Sequence, residues 1–320
     1  NMTAGTTTVK ATVNGVSQTK DINFSQILNI SIETTKDNAI SGEESNTVKA
    51  TVLGPDGNGV ANVMVDFTAS SDITLTPASG MTNSSGEIFS SVTKSDSTGG
   101  KTTITATISG LAENDSLLVN FLTLRKVDSV VAPGSYVFTS NKGFPTTGYS
   151  NARFQINASG NITSNTNYDW TSNETTSTSV DNEGNVTLID SNVRNKLVKI
   201  TARDNINAYR YEFKVTSWFI SGNYRKFSDA EDYCSANGMV IPSRGQLTQG
   251  ANVRGIGSLW SEWRKPTSWS SGDVNTAYWS NTQPSAMAGY RYMVNIVTGD
   301  GTAYKVSTGS NLEYVPCVKN

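Results

Sequence analysis

The chain has 320 residues, 36% hydrophobic and 16% charged, with a net charge of −2 and not one histidine. The missing imidazole removes Ser-His-Asp and Cys-His nucleophile systems, the usual zinc ligand sets and the commonest general base, so an enzyme is not expected. No apolar stretch reaches the roughly 18 residues a membrane helix needs, and no basic run points to nucleic acid or anionic lipid.

Thr, Ser, Asn and Gly make up for the low charge, a bias that suits extracellular β modules rich in turns. Asn1-Met2-Thr3 carries no signal-peptide pattern, and the sequence reads as a piece of a longer protein. The two cysteines, Cys234 and Cys317, stand far apart. Spacing alone leaves open one long-range disulfide formed in an oxidising compartment, or two unpaired buried thiols.

An internal repeat comes first. Residues Thr6 to Val16, followed by Ile22-Asn23-Phe24, are echoed by Lys101 to Leu111, followed by Val119-Asn120-Phe121. The offset is 95 residues at Ala11/Ala106 and 97 at Phe24/Phe121. Residues 1–24 are therefore expected to be the closing hairpin of one β module, unable to make a core alone, and residues 25–127 the next module. Within 25–127, Val48, Ala50 and Val52 alternate with polar residues. So do Val63, Val65 and Phe67, and Ile104, Ala106 and Ile108. Gly54-Pro55-Asp56-Gly57-Asn58-Gly59, Ser84-Ser85-Gly86 and Thr98-Gly99-Gly100 mark the turns. Short strands at this spacing predict an antiparallel sandwich. Its six Lys/Arg against eleven Asp/Glu read as a solvated acidic surface, since no dense Asp-x-Asp-x-Asp loop offers a calcium site.

Residues 128–216 predict a second sandwich of another subtype. Trp170 is read as core, and Val198, Ile200, Ala202 and Tyr211, Phe213, Val215 alternate. From 217 to 320 the character changes, and five of the six tryptophans gather here. Phe227 to Gly238 predicts a helix with Ser228 as N-cap and Glu231 as its capping-box partner. Ala230, Tyr233 and Cys234 share one face. Met239-Val240-Ile241 predicts a short strand stopped at Pro242, then a second helix capped by Ser243. Strands are expected at Tyr278-Trp279-Ser280, Tyr292–Val297 and Leu312–Val318.

These segments resemble known families. Pro55…Gly59-Val60-Ala61…Val63-Met64-Val65-Asp66-Phe67, then Gly86…Gly100-Lys101-Thr102-Thr103, resembles the bacterial immunoglobulin-like domains of intimin and invasin. Tyr168 to Asn173 with Ser179 to Leu188 resembles a second bacterial immunoglobulin-like group, which implies Trp170 in the core and a hairpin turn at Asp181-Asn182-Glu183-Gly184. The helix ending Ala230-x-x-x-Cys234-x-x-x-Gly238, the capped second helix, the Tyr278-Trp279 strand and the final strand bearing Cys317 resemble a C-type lectin-like fold. The resemblance implies a Cys234–Cys317 bridge. The lectin family's second disulfide is missing. Its calcium and sugar signature is degraded to Gln283-Pro284-Ser285 with no Trp-Asn-Asp following, so no metal or cofactor is expected; a cis Gln283-Pro284 bond would fix that loop without one.

The order of modules is similar to the intimin/invasin adhesins, the inverse autotransporters of Gram-negative bacteria. The fold class implied is mostly β: tandem immunoglobulin-like sandwiches followed by an α+β C-type lectin-like domain. The domains run 1–24, 25–127, 128–216 and 217–320. The resemblance implies a monomeric cell-surface adhesin passenger on the extracellular side of the outer membrane, with its anchor elsewhere in the protein. Its tip would bind a host protein (an integrin-like receptor, a bacterial translocated receptor or an immunoglobulin), with no calcium and no contact with membrane or nucleic acid. A glycan held by aromatic stacking and a structural or phage spacer role are the alternatives.

The candidate contact residues lie in two loops. Asn252 to Asn275 gathers Arg254, Trp260, Trp263, Arg264, Lys265 and Trp269 among Gly and Ser. Trp and Arg anchor protein interfaces, and such loops on a rigid scaffold carry function. Trp260 and Trp279 are read as core. Arg254, Trp263, Arg264, Lys265 and Trp269 form the candidate binding set, with Tyr290 and Arg291 as a second. Asp273 and Asp300 are further acids on exposed loops.

Overall fold

A computed structural model describes residues 5–24, 28–266, 269, 277–287, 289–298, 306–307 and 312–320. The chain divides into two compact units, Asn1–Leu124 and Arg125–Asn320.

In the first unit, strands Gly5–Val13 and Val16–Phe24 pair antiparallel, from Gly5 opposite Phe24 to Val13 opposite Val16. Asn14 and Gly15 take φ of 50° and 81°, the positive pair that a tight two-residue hairpin turn demands. The echo repeats this register: Gly100 lies opposite Phe121 and Thr102 opposite Val119. Burial separates the two hairpins. Ile104, Ala106, Ile108, Val119 and Phe121 are in the core, whereas Val9, Val13, Val16 and Ile22 are exposed.

The sandwich that uses the second hairpin has one sheet of Asn29–Lys36, Ser45–Leu53, Glu87–Lys94 and Ile73–Thr76, in that order. Facing it, Asn114–Lys126, Gly100–Ile108, Met64–Thr68 and Ser79–Met81 pair in turn. Ala39–Ile40 adds in parallel to Asn114–Lys126. The expected alternation holds: Val48, Ala50, Val52, Val65, Phe67 and Ile104 point into one core. Each large side chain so buried contributes about 1.5–3 kcal/mol relative to exposure. Gly86 has φ +77°, and a Cβ there would stand 2.4 Å from the Val52 carbonyl oxygen, so that turn requires glycine.

In the second unit, a five-stranded sheet of Tyr136–Thr139, Ser129–Ala132, Ala152–Asn157, Asn185–Leu188 and Thr178–Val180 packs with Asp169–Ser172, Val198–Arg203 and Asn207–Phe213. The Asp181 turn is as expected: Gly184 has φ 76° and its N–H donates to the Asp181 carbonyl at 3.0 Å. Trp170 differs from the reading as full core. It is half-buried at the core's edge, its indole N–H donating to Asn165 O at 2.9 Å. A further five-stranded sheet follows, ordered Thr147–Tyr149, Ser217–Arg225, Glu313–Lys319, Ala277–Trp279, Met293–Asn295. Its first strand comes from within the second sandwich's own sequence and pairs in parallel with Ser217–Arg225. One hydrophobic core runs through both the sandwich and the C-terminal region, from Phe138, Phe154 and Tyr211 to Phe219, Leu247, Trp260 and Tyr278.

Candidate functional site

Among the described residues, three helices lie in the C-terminal region. The first, α1 (Phe227–Ala236), buries Phe227, Ala230 and Cys234. Ser228 is not its N-cap, as expected from sequence; Lys226 is, with no side-chain cap bond. The cap falls two residues earlier because Phe227 is drawn inward to pack edge-on against Trp279, with ring centroids 5.5 Å apart. Ser228 instead donates to Asp229 at 3.2 Å. Gly238, at φ 66°, lies just beyond the helix end. Cys234 and Cys317 form the disulfide, with Cα atoms 5.4 Å apart, tying α1 to the last strand. Met239–Ile241 gives only a single bridge, Val240 to Val318, in place of a strand. The second helix, α2 (Arg244–Leu247), carries the expected Ser243 cap, completed as a capping box by Gln246.

The third helix, α3 (Leu259–Trp263), changes the reading of the Asn252–Asn275 loop. All five of its residues are buried. The Glu262 carboxylate accepts the backbone N–H of Thr146 (3.0 Å), Thr147 (2.9 Å) and Gly257 (2.8 Å), and the Thr147 hydroxyl at 2.8 Å. It also accepts the Thr146 hydroxyl. Burial pushes the Glu262 carboxyl up; the donors from Gly257, Thr146 and Thr147 oppose that. Beside it the Trp263 indole donates to Thr147 O and Oγ1, both at 3.1 Å. Its ring touches Phe144 (centroids 4.9 Å) and Tyr149 (5.7 Å). Trp269 packs against Tyr278 at 5.3 Å.

Trp263 and Trp269 are 0% and 4% exposed, so the expectation that they face a partner is corrected. They fill the joint between the second sandwich and the lectin-like region, because Thr147 offers the Trp263 indole two acceptors there and Phe144, Tyr149 and Phe154 offer rings. Arg254 belongs to the same joint. It donates to Glu262 O at 2.8 Å and Pro133 O at 3.3 Å and stacks 4.9 Å from the Tyr136 ring. Its pKa is lowered, by burial first and Arg264 second. Arg264 is exposed, at φ 59° and ψ −148°, a backbone conformation costly for any residue with a Cβ. Lys265 is half-buried. Asp273 and Asp300 lie outside the described residues.

Tyr290 and Arg291 are half-buried on a two-residue strand paired with Val306–Ser307. Arg291 donates to Gln283 Oε1 at 3.3 Å and to Tyr290 O at 3.0 Å, and lies 4.8 Å over the Phe227 ring. Gln283 is thus engaged within the protein, its amide also donating to Met287 O at 3.1 Å. The Gln283-Pro284 bond is not cis, contrary to expectation; the cis bonds among described residues are Thr76-Pro77 and Phe144-Pro145.

A third group is not singled out by the sequence. Between Gly222/Val315 and Arg225/Glu313 the strand pairing slips, so Asn223 and Tyr224 stand against Tyr314 alone. This bulge turns Tyr224 outward, 50% exposed, with its ring 3.9 Å from that of Tyr314. Arg225 lies 4.7 Å over the Tyr233 ring of α1, and its carbonyl accepts the Trp279 indole N–H at 2.9 Å. The Tyr233 ring is seated on Gly222, where a Cβ would stand 2.7 Å away. Burial raises the Glu313 carboxyl to about 7. A Tyr-Arg dipeptide after a glycine is the available sequence signal, but a bulge has no composition of its own.

The chain is thus mostly β, with immunoglobulin-like sandwiches followed by a lectin-like region stapled by one disulfide. Known proteins point the same way. Residues 29–122 match the bacterial Ig-like domain (group 1), and residues 128–215 match invasin domain 4. The inverse autotransporter adhesin YeeJ of Escherichia coli K12 is 29% identical over 182 residues, covering 55% of this chain and 8% of YeeJ. Invasin of Yersinia enterocolitica is 25% identical over 227 residues, covering 69% of this chain and 26% of that protein. The crystal structure of invasin, described as a bacterial integrin-binding protein, aligns over 99% of this chain and 66% of its own, with TM-score 0.51 and 22% identity. Two domain families met in these adhesins thus account for residues 29–122 and 128–215, and the matched relatives are adhesins rather than enzymes. It spans only about a quarter or less of the curated relatives' length.

Proposed function

We propose that this chain is the outward portion of a bacterial surface adhesin that attaches the cell to a host protein through its C-terminal lectin-like region, without calcium. The domain division is 1–24 as the hairpin of a further Ig-like module, 25–127, 128–216 and 217–320. The observation that carries the reading is the shared core and Glu262 joint, which unite the second sandwich and the lectin-like region in a single stiff presenting body. Two supports come from the relatives: YeeJ is named an adhesin, and invasin an integrin-binding protein. The location is the extracellular side of the outer membrane, and the partner a receptor or secreted protein of the host. Of the contact residues expected from sequence, Arg264, Lys265, Tyr290 and Arg291 remain candidates.

The test is attachment of the labelled full chain to mammalian epithelial cells, with and without chelator. Saturable attachment, lost after the cells are treated with protease and unchanged by chelator, is the expected result. No attachment to any of a panel of cell lines, or loss in chelator, would overturn it.

A further inference from the structure

The charges of the lectin-like region are used differently from those of the sandwiches. Every ion pair among the described residues joins partners between Glu33 and Glu212. Residues 217–320, with nine Lys/Arg and seven Asp/Glu, contribute none among the described residues. Four of their five arginines are stacked on rings: Arg225 on Tyr233, Arg244 on Tyr292, Arg254 on Tyr136 and Arg291 on Phe227. Arg254 belongs to the joint. Arg225 and Arg291 each stack on a ring of α1, one over Tyr233 and the other over Phe227.

Stacking holds a guanidinium flat while leaving its N–H edge available, and that edge matches a carboxylate bidentately. Among the described residues the Nε of Arg225 and of Arg291 are buried without a partner, so the edge that Arg225 offers is its terminal Nη pair, while Arg291 already spends Nη1 on Gln283 and Tyr290. Among the described residues Arg225 makes no ion pair, although Glu313 lies opposite it in register. Next to Arg225 the bulge displays Tyr224 on Tyr314, which in turn stacks 5.2 Å from the fully buried Tyr278. An exposed tyrosine backed by an immobile ring loses little entropy on contact, and Tyr with Arg is the pairing that dominates protein interfaces.

We infer that the face formed by Tyr224, Arg225, Tyr233, Arg291 and Tyr314 docks an acidic segment of a protein partner. One Asp or Glu of that segment would bridge to the Arg225 fork, and an adjoining apolar side chain would lie on the Tyr224–Tyr314 pair. The inference rests on the adhesin reading above and places its contact at α1 and the bulge instead of the Asn252–Asn275 loop.

The experiment uses the full chain and two probes: epithelial cell monolayers, and an array of 12-residue peptides, each duplicated with its Asp and Glu changed to Asn and Gln. The wild type is expected to attach to cells and to bind acidic peptides at least ten-fold above their amide copies. Arg225→Ala should lose ten-fold or more on both probes, with an unchanged melting curve. Arg225→Lys keeps the charge and the stem on Tyr233, so it should fold normally, yet it should also lose most binding for want of the fork. Tyr224→Ala should lose several-fold. If Arg225→Ala, Arg225→Lys and Arg291→Ala all attach like the wild type, the face is not the site while the adhesin reading stands. If sialidase treatment of the cells abolishes attachment, the partner is a glycan and the inference falls. If the wild type attaches to no cell, both readings fall.

Discussion

Two regions of the second unit are built from the same residues and behave oppositely. The α3 segment and the bulge beside α1 both combine arginine with large aromatics. In the first, Trp263 is wholly buried and its indole N–H is paired to Thr147. In the second, Tyr224 is half exposed and the Arg225 Nε unpaired. The difference is a neighbour. Glu262 stands between two threonines that can satisfy it, so its helix is drawn inside, taking Trp263 with it. Among the described residues no carboxylate pairs with Arg225. Composition that suggests an interface therefore marks either a joint within the chain or a face for a partner, and burial separates the two: α3 is wholly buried, while Tyr224 is half exposed.

The contrast is open to challenge from the joint's side first. Trp263→Ala removes the largest fully buried side chain and should cost about 3–5 kcal/mol, read as a fall in melting temperature. A change within error would mean the indole is not bearing the joint. Cys234→Ser should cost about 2–4 kcal/mol, as expected for a bridge closing an 83-residue separation. Melting in reductant should reproduce it, and an unaltered melt would contradict it. Glu262→Gln keeps the shape but sets an amide against donors, for about 1–3 kcal/mol; a neutral result would show that the donors find other acceptors.

The smallest effect lies beside the bulge. Glu313 is held near 7 by burial, above its ordinary 4.5. The folded chain keeps this proton over a range where the unfolded chain has lost it, so stability falls as pH rises from about 4.5 to 7 and this contribution is flat outside that window. The side chain is half in solvent, so the slope is shallow. Glu313→Gln should remove it in melts across that range, and an identical slope in the variant would assign the dependence elsewhere.

Much of the architecture was legible in sequence, for identifiable reasons. Strands of the sandwiches declare themselves by period two, as with Val48, Ala50 and Val52, because one face is buried and the other wet. The Ser243 cap and the Asp181 turn are local and chemical, and both are found. The Cys234–Cys317 bond followed from family resemblance and is present. The site was less legible. Trp263 is buried by Thr146 and Thr147, more than a hundred residues away, and no window of sequence holds both. Ser228 lost its cap to the pull of Trp279 on Phe227, again a distant partner. The Tyr224 bulge is a matter of register between Ser217–Arg225 and Glu313–Lys319, which neither strand encodes alone.

All of this turns on Glu262 and Trp263 joining the second sandwich and the lectin-like region into a single body. Amide hydrogen exchange at Thr147, whose N–H is held by Glu262, reads that joint without any mutation. Thr147 is expected to exchange as slowly as Ile200 in the sandwich and Phe219 in the lectin-like sheet, all three opening only with global unfolding. Rapid exchange at Thr147 while Ile200 and Phe219 stay protected would show two bodies that separate at the joint, and would contradict it.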